Sequence, residues 1–164
     1  MTEPDSGLYF LLKRHKYIAI LFSVAVIAFL AWPTTTAQCP MWEVWVVNES
    51  GQPLEGMIVR LTYQNYSAES DSHSEDLRTD TRGYVVFKPR SLSVPRVQRI
   101  FATAKSAMAG VHASFGPHAW VWAFGDGLEG IAVSDGRVTD WHGAPPRMAS
   151  RIVAKPGHSV IRTY

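Results

Sequence analysis

The sequence predicts a mainly β protein: a β-sandwich of about seven to nine antiparallel strands, with one α-helix inserted at about 94–109 and an apolar helix at about 16–36 ahead of it. Three observations predict it. Residues 57–64 and 118–124 alternate with period two, as half-buried strands do. Gly, Pro, Asn and Asp cluster between the short apolar runs and punctuate them as turns. Only residues 94–111 of the remaining chain switch to a spacing of three and four.

Composition narrows the class. The chain has 164 residues, 46% hydrophobic and 18% charged, too apolar and too weakly charged for a disordered tail. A formal net charge of +2 excludes a dedicated nucleic-acid binder, and no nucleic-acid partner is expected. A single cysteine excludes an intrachain disulfide and any cysteine-built metal cluster.

The elements follow in order. Residues 17–32, YIAILFSVAVIAFLAW, carry no charge, and Lys13, Arg14, His15 and Lys16 stand directly before them. No Lys or Arg follows until Arg60, so the positive-inside rule puts the N-terminus in the cytoplasm and the rest outside. The chain divides into a short cytoplasmic leader (1–16), a transmembrane or signal segment (17–37) and an exported domain (38–164). Tyr17 and Trp32 bracket the run as interfacial anchors do. Thr35-Thr36-Ala37 would allow cleavage after Ala37, which would leave a secreted domain. The long leader with Glu3 and Asp5 favours a retained anchor. Gln38 before Cys39 disfavours lipid attachment, for which a small residue is wanted.

Met41–Asn48 reads as a strand, Glu49–Gly56 as a turn and Met57–Gln64 as a second strand with Val59, Leu61 and Tyr63 on its dry face. Ser67–Asp76 is polar and acidic and reads as a surface loop. Leu77–Thr79 and Tyr84–Lys88 read as a hairpin around Asp80-Thr81-Arg82-Gly83. In the helix at about 94–109, Ser93 would cap, Pro95 would suit the first turn and Gly110 the stop. Its apolar stripe (Val94, Val97, Ile100, Phe101, Ala104, Met108, Val111) would face the core, leaving Arg96 and Arg99 on a solvated face. Val111–Phe115 and His118–Phe124 read as strands, and Ile131–Ser134 with Arg137–Asp140 as a hairpin around Asp135-Gly136. Trp141–Ser150 reads as loop. Arg151–Ala154 and Ser159–Thr163 would close the sheet as edge strands.

The turn Asn48–Gly56, the strand Met57–Gln64 and the run Thr79-Asp80-Thr81-Arg82-Gly83-Tyr84-Val85-Val86-Phe87 carry a resemblance. A G-x-P-L-x-G turn precedes the second strand, and a T-D-x-x-G-x-x-x-F turn comes later. Residues 44–87 thereby resemble carboxypeptidase regulatory-like domains, which implies a transthyretin-like, prealbumin-type sandwich. Such a domain is an accessory to peptidases, so the resemblance implies no peptidase activity. The helix and the segment His112–His118 depart from the small members of that family.

Candidate chemistry is sparse. His112, His118 and His142 are the candidate metal ligands, imidazole being the commonest zinc ligand, although no H-x-H or HExxH is present. Two enzyme families share the implied fold. Intradiol dioxygenases need an H-x-H that is absent, and the urate-pathway hydrolases end in Tyr-Arg-Gly-Ser where this chain ends Ile161-Arg162-Thr163-Tyr164. No G-x-S-x-G elbow exists, and Cys39 has no evident base. His73 and His158 are scattered. Asn48-Glu49-Ser50 and Asn65-Tyr66-Ser67 match the glycosylation sequon, which matters only in a eukaryotic secretory route. Trp120, Trp122 and Phe124 share one face of their strand: a sugar-stacking row if exposed, core if buried, and the sandwich geometry favours core. Arg96 and Arg99, three apart on the helix, are the remaining binding candidates. The expected function is a membrane-anchored exported domain, without cofactor, that binds or scaffolds a protein or polysaccharide outside the cytoplasm. The competing expectation is a metal-dependent enzyme or metal-binding protein built on His112, His118 and His142.

Overall fold

A computed structural model describes residues 6–157, with side chains from His15 onward. In chain order, helix α1 (Ser6–Ala31) leads into β1 (Pro33–Cys39), β2 (Met41–Val47), β3 (Ile58–Asn65), β4 (His73–Arg78), β5 (Tyr84–Phe87) and β6 (Arg90–Pro95). Helix α2 (Arg96–Ala107) and a single 3-10 turn (Gly110–His112) follow. Then come β7 (Pro117–Gly125), β8 (Leu128–Ile131), β9 (Val133–Ser134), β10 (Arg137–Val138), β11 (Asp140–Trp141), β12 (Arg147–Val153) and β13 (Lys155–Pro156). The protein is mainly β, as its sequence predicts. The expected edge strand Ser159–Thr163 lies outside the described residues.

One sheet runs β13-β8-β7-β3-β4, with β11 added on β7; a second runs β12-β2-β5. Their inward side chains form one core. Trp42, Val44, Val46, Phe87 and Ile152 come from the second sheet, and Val59, Leu61, Tyr63, Ala119, Val121, Ala123 and Trp141 from the first. The dry face expected for residues 57–64 is therefore the buried one. Trp42 is fully enclosed, and its indole N–H donates to Ser150 Oγ at 3.0 Å, so the polar end of the ring is satisfied without water.

Several expectations are corrected. The sheets are not wholly antiparallel: β12 lies parallel to β2, with Ser150 beside Val44. Residues 73–76 of the expected loop join 77 and 78 of the expected strand in β4, held on β3 by the ladder and by Arg60, whose guanidinium donates twice to the Asp76 carboxylate at 2.7 Å. The expected 77–88 hairpin is a crossing between sheets, since β4 pairs with β3 and β5 with β2. Val111–Phe115 is not a strand; a 3-10 turn occupies its start. Part of the expected 141–150 loop is ordered in β11 and β12. The Asp135-Gly136 hairpin is present between β9 and β10, both turn residues at positive φ (51° and 74°).

The N-terminal helix ends at Ala31, five residues earlier than expected, because Pro33 forces Trp32 out of helical geometry. It also begins at Ser6, inside the expected leader. Residues 33–39 become β1, which pairs antiparallel with β6, Pro33 opposite Pro95 and Thr35 opposite Ser93. That pairing delays α2: Ser93 and Val94 are strand, Pro95 is extended (ψ 148°), and no side chain caps the helix. Among the described residues, no helix is long and apolar enough to cross a membrane.

Candidate functional site

Strand β7 fixes the main site. Its neighbours β3 and β8 put Trp122 beside Arg60 and Ile131. The core side of β7 is Ala119, Val121 and Ala123, all fully buried, so Trp120, Trp122 and Phe124 project from the opposite, outer face. This reverses the expected packing of the three rings. The interior is already filled by Trp42, Phe87, Tyr63 and Trp141, and close packing leaves room only for small side chains from β7.

Outside, the rings form an ordered row. Trp122 and Phe124 stack at 4.6 Å between centroids, 29° from parallel. The Arg60 guanidinium lies 5.3 Å from the Phe124 centroid and 5.7 Å from that of Trp122. Hydrogen bonding to Asp76 raises the Arg60 pKa, and the same bonds hold the Asp76 carboxyl below its usual range. A trench of about 610 Å3 opens beside the row, floored by Trp120 and Trp122, walled by Ile131, Val133 and Val153, with Glu129 and Lys155 at its edge. Apolar walls with a few charged groups are the usual make-up of a ligand site. The trench walls escape sequence reasoning because β8 and β9 come together with β12 and β13 only in the folded chain, of the four only β8 and β13 being paired with each other. Arg60, on the wet face of residues 57–64, was visible in the alternation, but its place over the rings was not.

The histidines assemble in part. His142 Nδ1 and His118 Nε2 lie 3.3 Å apart, their rings edge to face at 4.2 Å, and Tyr66 meets His118 edge-on at 5.1 Å. Burial pushes the His118 pKa below its ordinary value, and the neighbouring His142 adds to this. His112 does not join them. It lines a separate depression with Gln64, Tyr66, Glu69 and Lys105. The expected three-histidine set is therefore not formed. Among the described residues, no group of three or more His, Cys, Asp or Glu side chains gathers as metal ligands. Cys39 is buried and its thiol pKa is raised by desolvation, the opposite of nucleophile activation.

Arg96 and Arg99 are placed contrary to expectation. They turn inward, against the junction of α1 and β1. Arg99 Nε donates to Thr34 Oγ1 at 2.6 Å and its Nη2 to the Thr34 carbonyl at 2.8 Å. Arg96 Nη1 donates to the Phe29 carbonyl at 3.1 Å, and its guanidinium sits 4.3 Å from the Phe29 ring centroid. Of the expected apolar stripe, Val94 is buried in β6 and Val97 is half-buried, while Ile100, Phe101, Ala104, Met108 and Val111 face outward; α2 contains no buried residue.

No protein family's sequence profile matches the chain, and no curated protein does. Among solved structures, the chain is similar to 3-chlorocatechol 1,2-dioxygenase from Rhodococcus opacus 1CP, at 14% identity and a TM-score of 0.44. The similarity covers 73% of this chain and 60% of that one.

Proposed function

We propose that this is a membrane-anchored domain exposed outside the cytoplasm, a prealbumin-type β-sandwich of the carboxypeptidase regulatory-like kind that binds a polysaccharide in a non-catalytic role. Two sheets around one core support the sandwich. The uncharged run with its basic N-terminal flank supports the anchor. The observation that carries the binding role is the outward row Trp120, Trp122 and Phe124 beside the trench. Flat rings offer their faces to the C–H groups of a sugar, and the trench lining also holds Glu129 and Lys155, the latter 3.4 Å from the Glu49 carboxylate. Retention of the purified protein in gels cast with peptidoglycan, cellulose or chitin tests it. Trp122→Ala should abolish retention while the fold survives. A wild-type protein that no gel retards would favour a protein partner for the same trench.

A second reading has one observation behind it. Two imidazole nitrogens bound to one tetrahedral zinc at ~2.0–2.1 Å would stand roughly 3.3–3.4 Å apart, and His118 and His142 are separated by 3.3 Å. Their contact is equally a hydrogen bond from one ring to the other. Titration with zinc decides: site-specific uptake would be lost in His142→Ala and kept in His112→Ala, whereas equal uptake by all three proteins would remove the metal reading.

A further inference from the structure

Helix α2 is built inside out. Ile100, Phe101 and Met108 stand on its outer face, with Val111 of the following turn beyond them, and Met108 and Val111 are 88% and 96% exposed. Two of its polar side chains face the protein instead: Arg99 bonds Thr34, and Ser106 Oγ donates to the Tyr66 carbonyl at 2.9 Å. Such a helix leaves its apolar stripe unsatisfied in water.

The surroundings say what covers it. The β1–β6 ribbon returns the chain to the point where it left α1, and the Arg96 backbone N–H donates to the Trp32 carbonyl at 3.3 Å. The N-terminal end of α2 therefore stands beside the C-terminal end of α1, where Arg96 meets Phe29 and Trp32, and α1 carries exposed apolar side chains of its own. Arg96 and Arg99 are engaged at the α1–β1 junction, but Lys105 is exposed and α2 holds no acidic residue to repel lipid phosphates. The apolar run of α1 from Tyr17 to Ala31 would rise only about 22 Å, against roughly 30 Å of hydrocarbon, so a second apolar contact beside it adds hold.

We propose that α2 lies in the headgroup layer of an anionic bilayer, its Phe101 and Met108 face among the acyl chains. This rests on the reading of α1 as the anchor. Depth for such a helix is about 5–10 Å into the boundary. The test uses the full chain, with Cys39→Ser, in vesicles of phosphatidylcholine and phosphatidylglycerol. Single cysteines replace Phe22, Phe101 or Val133 in turn and carry an environment-sensitive fluorophore. Lipids brominated high on the acyl chain should quench position 101 by roughly half or more and leave position 133 untouched, the shallow depth expected of an interfacial helix. Position 22 should be quenched by lipids brominated deeper. A dark position 22 with position 101 still in water would overturn this proposal and keep the anchor. No quenching at position 22 would overturn the anchor, and this proposal with it. Energy transfer between labelled copies at position 101, without lipid quenching, would assign the face to a second copy and also overturn it.

Discussion

Gly83 sits where two turns touch. Its φ is +68°, and a Cβ there would clash with the Val46 carbonyl oxygen, which is backbone and cannot swing away. Around it the Thr79-Asp80 pair closes the crossing. Thr79 Oγ1 accepts from the Met57 N–H at 3.0 Å and donates to the Leu54 carbonyl at 2.7 Å, and one Asp80 carboxylate oxygen accepts from the N–H groups of Arg82 and Tyr84. Gly136 has a similar φ, +74°, but open space where its Cβ would go. Gly136→Ala should cost about 1 kcal/mol, from conformation alone. Gly83→Ala adds the clash and should cost roughly 3 kcal/mol or more. Equal denaturation midpoints for the two would remove the steric account. The tryptophans make a second pair. Trp42→Ala should cost about 3–5 kcal/mol because it empties the core, whereas Trp122→Ala, outside it, should cost about 1 kcal/mol or less. Titration adds a third effect. Burial lowers the His118 pKa below its ordinary 6.5, so the unfolded chain binds the proton first. The stability it contributes is present above about pH 6.5 and lost as pH falls through that value toward the folded pKa. Replacing His118 by Gln should flatten that part of the stability–pH curve; an unchanged slope would show that another group sets it.

At the scale of elements, periodicity was legible and facing was not. The alternation of residues 118–124 separated small from large side chains, but which set enters the core depends on what the other strands bring. Trp42 and Phe87 from the second sheet and Tyr63 and Trp141 from the first fill the interior, so β7 contributes Ala119, Val121 and Ala123. Helix α2 shows the same limit. Spacing of three and four revealed an apolar stripe, and only the tertiary placement turned it away from the protein. Only the end of β4, Leu77 and Arg78, is legible, because the polar residues 73–76 become strand only when β3 is there to pair with them. The trench was legible only in Trp120 and Trp122, the large side chains of β7; the residues that β8, β9, β12 and β13 add to it carry no local signature. What holds α2 in its reversed orientation is chiefly Arg99 on Thr34, a hydrogen-bonded guanidinium half-shielded from water. Arg99→Ala should loosen α2 without touching the core. Amide exchange across residues 96–107 should accelerate about tenfold or more, as expected for local opening, while the thermal midpoint of the sheets stays put. A simultaneous loss of both would mean that α2 is part of the cooperative core.

At the scale of the whole molecule, the fate of the N-terminal segment is coupled to the fold. Cleavage after Ala37 would remove Pro33–Ala37, the residues of β1 that pair with Pro95 back to Ser91. Strand β6 would be left with an unpaired edge, and α2 would lose Thr34, its partner for Arg99, and the Trp32 carbonyl that accepts from Arg96. Gln38 and Cys39, both buried, would become the new terminus. An exported domain evolved to be released would not place its first strand upstream of the cut. If α1 is the anchor proposed above, retention is the outcome that keeps β1 paired, β1 then serving as both tether and structural strand. Two measurements check it. The mass of the protein recovered from membranes should match the uncleaved chain, and a reporter fused after Tyr164 should be active only outside the cytoplasm. In parallel, a chain starting at Gln38 should show fast amide exchange in residues 90–107, whereas one starting at Pro33 should protect β6 as the full chain does. A membrane-recovered product beginning at Gln38, with residues 90–107 still protected, would show that β1 is dispensable and that the anchor is a cleaved signal.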